Sequence, residues 1–247
     1  MSRMEKKPRI IGIIPARGGS KGIPDKNIMS LAGKPLICYT IDGAKKSKYL
    51  SRIVVSTDDE KIASIAKRNG ADVPFMRPES LSKDDTPSVA VVQHAISFIE
   101  EQEGSFFDVI VLLQPTSPFR NEKYIDDAIK KQLETGADSV ITVCKVKHNP
   151  YWNFICKEDR LYPLITNDNK PTRRQDLLQT YAPNGAVYVV KRDVLFTQNT
   201  MFGNDLRGII MSAEESIDID DYYDWFLAEM TSKYWKEWLN EKRKDRK

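Results

Sequence analysis

The stretch that decides the fold is Ile10-Ile11-Gly12-Ile13-Ile14-Pro15-Ala16-Arg17-Gly18-Gly19-Ser20-Lys21-Gly22-Ile23-Pro24-Asp25-Lys26-Asn27. Residues 10–14 are an apolar, β-branched run of the kind buried on both faces of a parallel sheet. The run stops at Pro15 and gives way to glycines and cations. Open α/β sheets bind ligands at the carboxyl ends of their strands, which is where this loop falls. Gly18, Gly19 and Gly22 let the main chain approach an anion, while Arg17, Lys21, Lys26 and Lys34 supply positive charge. The expected ligand is a polyphosphate. A Walker P-loop does not fit, because no Gly-x-x-x-x-Gly-Lys-Ser/Thr frame is present. Nor does a dinucleotide fingerprint, since Gly-x-Gly-x-x-Gly is missing and Pro24 stops any helix begun there. A plain surface turn would account for the glycines but not for the four cations.

Outward from this loop, short apolar runs alternate with helical patterns. Residues 53–56, 73–75, 109–113 and 139–143 repeat the character of 10–14 and are expected strands. Asp58 is placed to cap a helix that Gly70 ends, with Ile62, Ile65 and Ala66 inward. Thr86 and Pro87 form a cap and first-turn pair ahead of a stripe of Val89, Val92, Ile96 and Ile99. Asn121 and Gly136 bracket a third helix with Ile125, Ala128, Ile129 and Leu133 facing inward. This rhythm implies an α/β domain with right-handed crossovers and a mostly parallel sheet. It breaks near Lys145. Residues 145–182 lack helical periodicity and read as a β-rich insertion, with hairpin strands at 154–157 and 160–164, inside one domain spanning 1–247. Residues 184–190 return to the sheet. A helix from about Tyr222 is expected to dock through Trp225, Trp235 and Trp238, with Tyr222, Tyr223 and Tyr234.

Charged residues make up 30% of the chain but the net charge is only +3, so no global field points to nucleic acid. Cys38, Cys144 and Cys156 fall in no metal spacing and suit reduced thiols. The opening residues are polar, and no run reaches the ~20 apolar residues of a membrane span. A cytoplasmic protein with neither membrane nor nucleic-acid partner is expected, its basic end, 242–247, simply solvated. His94 and His148, the only histidines, form no set with a serine or cysteine nucleophile.

Ser216-Ile217-Asp218-Ile219-Asp220 alternates, which predicts a strand with both isoleucines buried. Asp218 and Asp220 would then share the opposite face, their Cα atoms about 6.5 Å apart. Two carboxylates so placed can grip one hard cation such as Mg²⁺ and leave coordination positions for phosphate oxygens and water. An acidic cap on the last helix would explain Asp220 or Asp221 but not Asp218.

The string Arg-Gly-Gly-Ser-Lys-Gly-Ile-Pro-x-Lys-Asn resembles that of the acylneuraminate cytidylyltransferases, the CMP-sialic acid synthetases. Further motifs follow in that family's order: Ser56-Thr57-Asp58, Arg77-Pro78, Ser82-Lys83-Asp84, Gln114-Pro115-Thr116-Ser117-Pro118-Phe119-Arg120, Arg173-Arg174-Gln175, Pro183-Asn184-Gly185-Ala186-Val187-Tyr188 and Ser216-Ile217-Asp218-Ile219-Asp220. The likeness runs from about residue 9 to about residue 228.

The resemblance implies a Rossmann-like three-layer nucleotide-diphospho-sugar transferase fold, with 145–182 as a dimerisation insertion reaching the neighbouring subunit's site. It implies a homodimeric, Mg²⁺-dependent enzyme that transfers CMP from CTP to the anomeric hydroxyl of a nonulosonic acid. Arg17, Gly18, Gly19, Ser20 and Lys21 would lie along the triphosphate, Lys26 at the α-phosphate and Asn27 at ribose or phosphate. Arg77 would bind the nucleotide. Thr86 and Ser88 would either line the base pocket or only start a helix. Gln114 would contact the acyl sugar, and Asp218 and Asp220 would hold the metal. The sugar carboxylate calls for a cation, for which Arg173 and Arg174 lead, ahead of Lys145 and Lys170; a surface arginine pair at a dimer rim is the alternative. Several sialic acid synthetases carry arginine before Pro-Asn-Gly, where this chain has Ala182. Legionaminic and pseudaminic acids are therefore as admissible as N-acetylneuraminic acid. Another 3-deoxy acid, GTP in place of CTP, or a non-catalytic nucleotide-binding protein are the rival readings.

Overall fold

The isoleucines of the opening run divide by alternation: Ile10 and Ile14 pack into one apolar cluster, Ile11 and Ile13 into another. The strand is therefore covered on both faces, as its unbroken hydrophobicity predicts. A computed structural model describes residues 7–166, 173 and 177–244. In chain order the first half holds β1 (Ile10–Pro15), β2 (Ser30–Leu31), β3 (Lys34–Pro35), α1 (Leu36–Lys46), β4 (Arg52–Ser56), α2 (Glu60–Arg68), α3 (Ser88–Glu103) and β5 (Val109–Leu112). Then follow α4 (Glu122–Thr135), β6 (Ser139–Lys145), β7 (Phe154–Lys157), β8 (Arg160–Pro163), β9 (Tyr181–Lys191), α5 (Arg192–Thr197), β10 (Leu206–Met211) and α6 (Tyr222–Lys244).

Six strands form one sheet in the order β10-β6-β9-β5-β1-β4. Pairing is parallel except at β9, which runs antiparallel to both β5 and β6. Helices α1, α2 and α4 cover one face through Ile37, Ile41, Ile62, Ile125 and Ile129. On the other face, α3 and α5 contribute Val92, Ile96, Ile99, Val194 and Leu195. The result is the expected three-layer α/β arrangement. Each side chain so buried contributes roughly 1.5–3 kcal/mol.

Several local expectations change. Residues 73–75 form no strand; only Asp72 bridges to Val54, because β4 already ends the sheet there. Asp59, not Asp58, caps α2, accepting from Lys61 N and Ile62 N. Pro87, not Thr86, stands at the cap position of α3, and no side chain caps that end. Asn121 and Gly136 do bracket α4, but Leu133 is exposed and Gln132 takes the inner position. Of the tryptophans, only Trp225 docks α6; Trp235 and Trp238 stack on each other with Trp238 exposed, as are Tyr222, Tyr223 and Tyr234. Strands β7 and β8 form the expected hairpin, turning through Glu158 (φ 51°) and Asp159 (φ 78°). Among the described residues, no helix is long and apolar enough to cross a membrane.

Two features position the site. Pairing of Pro15 with Ser56 and Ile13 with Leu112 brings the carboxyl ends of β1, β4 and β5 to one edge. Because β9 is antiparallel, its start also reaches this edge, with Tyr181 opposite Lys145. A third cluster, of Ile23, Leu31, Leu36, Ile219, Trp225 and Ala228, lies behind the loop after β1.

Candidate active site

The loop after β1 folds back against the segment after β10 because both insert an isoleucine into that third cluster. Ile23 and Ile219 are each wholly buried. Their docking leaves no room for a side chain at Gly22, whose Cβ would lie 2.3 Å from the Asp220 carbonyl oxygen. It also carries Lys26 across the gap. Lys26 Nζ donates to the Ile219 carbonyl at 2.6 Å and stands 3.6 Å from the Asp220 carboxylate. The Lys26 side chain is only 12% exposed, whereas that of Asp220 is 81% exposed.

Around this pair opens a cavity of about 440 Å³, lined by Arg17, Ser20, Lys21, Gly22, Lys26, Asn27, Arg77, Lys83, Asp84, Thr86, Ser88, Gln114, Thr116 and Asp220. Most of the residues expected from sequence thus meet at one edge of the sheet. Arg77 is buried, its Nε donating to Ser56 Oγ at 3.1 Å and its Nη2 to the Ser56 carbonyl. Burial pushes its guanidinium down to about 10, so it stays charged at neutral pH. Asn27 is also buried and donates to the Arg17 carbonyl at 3.0 Å, holding the loop from within. Gln114 turns towards the start of β9: a Cβ on Gly185 (φ +75°) would lie 2.7 Å from its Oε1 and 2.9 Å from Asp218 Oδ2.

Other residues lie elsewhere. Lys34 pairs with Asp42 and sits 4.6 Å from the Tyr39 ring, outside the cavity. Gly18 and Gly19 do not line it either; Gly18 N instead donates to Asp58 Oδ1 at 3.0 Å. Arg173 is exposed and apart from the lining, and Arg174 lies outside the described residues. Lys170 does too.

The acidic pair departs from the strand expected for it. Residues 216–220 are irregular, held by Ile219 N donating to the Thr116 carbonyl at 2.9 Å. With no neighbouring strand, the two aspartates are not equivalent. Asp218 lies behind the cavity lining, half-buried, with burial raising its carboxyl above the ordinary value and a Thr116 hydrogen bond opposing. Its Oδ1 is buried without a hydrogen-bond partner. The capping alternative goes to Asp221, whose Oδ1 accepts from Tyr223 N and Asp224 N, leaving Asp220 free of that role. An orphaned buried carboxylate oxygen beside a second, open carboxylate fits a hard divalent cation. Among the described residues no group of three or more acidic, histidine or cysteine side chains forms, so further ligands would come from phosphate and water.

The partners of two further residues could not be read from the sequence. Asp84, from the Ser82-Lys83-Asp84 motif, pairs with both Arg17 and Lys21. Arg120, whose sequence context suits a structural or helix-start residue, takes the structural role: it is fully buried and donates to the carbonyls of Gln114 (3.1 Å) and Ala186 (2.7 Å), fixing the Gln114 turn to β9.

Comparison with known proteins places this geometry. A CMP-N,N'-diacetyllegionaminic acid synthase of Legionella pneumophila is 38% identical over 229 residues, spanning 90% of this chain and 95% of that protein. An N-acylneuraminate cytidylyltransferase of Escherichia coli is 35% identical over 224 residues, 90% of this chain and 52% of the longer relative. A CMP:2-keto-3-deoxy-manno-octonic acid synthetase solved with CTP shares the fold at a TM-score of 0.65 and 15% identity, over 93% of this chain and 99% of that one. The family model described as cytidylyltransferase matches residues 11–217, from the first sheet strand to the edge of the acidic segment, and the chain belongs to that family.

Proposed function

We propose that this protein transfers CMP from CTP to the anomeric hydroxyl of a nonulosonic acid. The sugar hydroxyl gives up its proton to water, its oxygen bonds to the α-phosphorus, the bond to the β-phosphate oxygen breaks, and pyrophosphate leaves. The observation that carries this reading is Lys26, held by the Ile219 carbonyl at 2.6 Å and facing a cavity that also presents Arg17, Lys21 and Arg77. Phosphoryl transfer asks for positioned positive charge where negative charge builds, and needs no covalent nucleophile. Lys26 would stabilise the α-phosphate as it becomes five-coordinate. Arg17, Lys21 and Ser20 would hold the β- and γ-phosphates. Arg77, set rigidly against Ser56, would fix the nucleotide, with Thr86 and Ser88 at the base. Gln114 would meet the sugar. Asp218 and Asp220 would hold Mg²⁺, which when bound supplies Lewis-acid charge compensation at the phosphates.

The hairpin of β7 and β8 supports a homodimer. Phe154, Ile155, Leu161, Tyr162 and Leu164 are all exposed, and an isolated two-stranded hairpin is marginal in water without a partner surface. A second copy would cover it and bring Arg173 and Arg174 towards the sugar carboxylate. Three free cysteines and the demand for CTP suit the cytoplasm. The two named relatives act on legionaminic and neuraminic acids by name, and Ala182 before Pro183 keeps both sugars open here. Pyrophosphate release with CTP and Mg²⁺, measured across N-acetylneuraminic, legionaminic and pseudaminic acids, tests the reading. Release with GTP alone, or with none of the sugars, would overturn it.

A further inference from the structure

The cations that should meet phosphate are already engaged. Asp84 reaches across the cavity from the segment before α3 and places one carboxylate oxygen on Arg17 Nη2 and the other on Lys21 Nζ, the latter at 2.5 Å. A planar carboxylate bridging two cations in this way presents its oxygens as two phosphate oxygens would. Among the cavity's other cations, Lys26 donates to the Ile219 carbonyl and stands 3.6 Å from the open Asp220 carboxylate, and Arg77 is held by Ser56, so neither is bridged by a carboxylate as Arg17 and Lys21 are. Nucleotide must therefore take Arg17 and Lys21 from Asp84 before it can be held by them.

We infer that Asp84 is an internal stand-in for phosphate: it occupies the anion site of the free protein, is displaced by the triphosphate and returns to expel pyrophosphate. This rests on the nucleotidyl-transfer reading above and adds to it a residue that sets the affinity for the leaving group. Such a device is useful where the leaving group carries more charge than the product that keeps the base. Without Asp84, the loop cations would hold pyrophosphate after the transfer. Exchange of one set of ion pairs for another keeps the cations oriented throughout, so that little ordering remains to be done when CTP enters. Lys21, whose side chain is 78% exposed, would otherwise sample many rotamers.

The test is calorimetric binding of inorganic pyrophosphate to the full chain, comparing wild type, Asp84→Asn and Asp85→Asn. Asp85 is an exposed neighbour whose replacement removes the same charge from the same segment. Asp84→Asn should tighten binding by about tenfold, since the binding-competent state no longer competes with a closed one. Asp85→Asn should change it less than twofold, because exposed charges act weakly through water. Both should melt as wild type does, Asp84 being a surface group. In turnover, Asp84→Asn should show stronger product inhibition by pyrophosphate. Equal tightening in the two variants would reduce the effect to net charge and overturn the inference, as would unchanged or weaker binding in Asp84→Asn. Absence of pyrophosphate and CTP binding in all three proteins would instead overturn the nucleotidyl-transfer reading, and the stand-in with it.

Discussion

Replacing Gly22 by alanine would put a methyl carbon 2.3 Å from the carbonyl oxygen of Asp220. Close carbon–oxygen contacts in proteins run at about 3.3 Å, so the two backbones must part by about 1 Å. Neither atom sits on a flexible side chain, and rotamer change cannot relieve the clash. Gly22 itself is exposed, so the loop can swing outward, and the stability loss should stay near the low end of overpacking, about 1 kcal/mol. In a chain of this size that lowers the melting temperature by about 2–4 °C. Catalysis should suffer more. Lys26 follows Gly22 in the same loop, and its distances to Ile219 and Asp220 are set by the docking that the methyl disturbs. A misplacement of about 1 Å at a reacting centre costs on the order of a hundredfold in rate. The assay is kcat for pyrophosphate release beside a thermal melt, with Gly104→Ala as control. Gly104 ends α3 at φ +61° with nothing within 4 Å of a Cβ, so alanine there costs about 1 kcal/mol of backbone strain. The control should melt lower with kcat intact. A Gly22→Ala protein turning over within twofold of wild type would refute the reasoning.

Lys26→Met should lower kcat by about 10²–10³-fold with little change in melting, as removal of one preorganised charge-stabilising group does; a KM effect alone would remove Lys26 from the transition state. Asp218→Ala should abolish Mg²⁺-dependent turnover while the protein stays folded, because it deletes a half-buried carboxylate whose Oδ1 has no partner. Retained Mg²⁺ activation would move the metal elsewhere. Leu161→Glu, on an exposed position of the β7–β8 hairpin, should shift the protein from dimer to monomer in light scattering; an unchanged mass would exclude that surface as the contact.

The sheet was legible because its signal is local and strong. Five consecutive residues at 10–14 carry enough hydrophobicity for two faces, and both faces are covered. Errors arose where a local pattern competed with tertiary demands. Residues 73–75 look like a strand, yet the chain leaves the sheet after Asp72 and delivers Arg77 to Ser56, so backbone pairing gives way to a side-chain anchor. Thr86 and Asp58 are good capping types. Thr86 lines the cavity instead, and Asp58 is drawn to Gly18 N, forty residues away in sequence. Long-range polar partners of this kind leave no trace in spacing.

The acidic segment shows why candidate residues could be named while their geometry could not. Alternation places Asp218 and Asp220 on one face only if the backbone is paired and pleated. Here Ile219 is pulled into the cluster with Ile23 and Trp225, and its amide is taken by Thr116, so one aspartate turns inward and the other to solvent. That asymmetry would suit the proposed metal role. The inward carboxylate, one oxygen of which is buried without a partner, would gain most from a cation, while the outward one remains 3.6 Å from Lys26. The same buried isoleucine that spoils the strand also supplies the carbonyl to which Lys26 donates. Packing behind the loop and charge placement in front of it are thus one constraint. A substitution that loosened Ile219 would disturb the lysine and both aspartates together, although it touches no charged group.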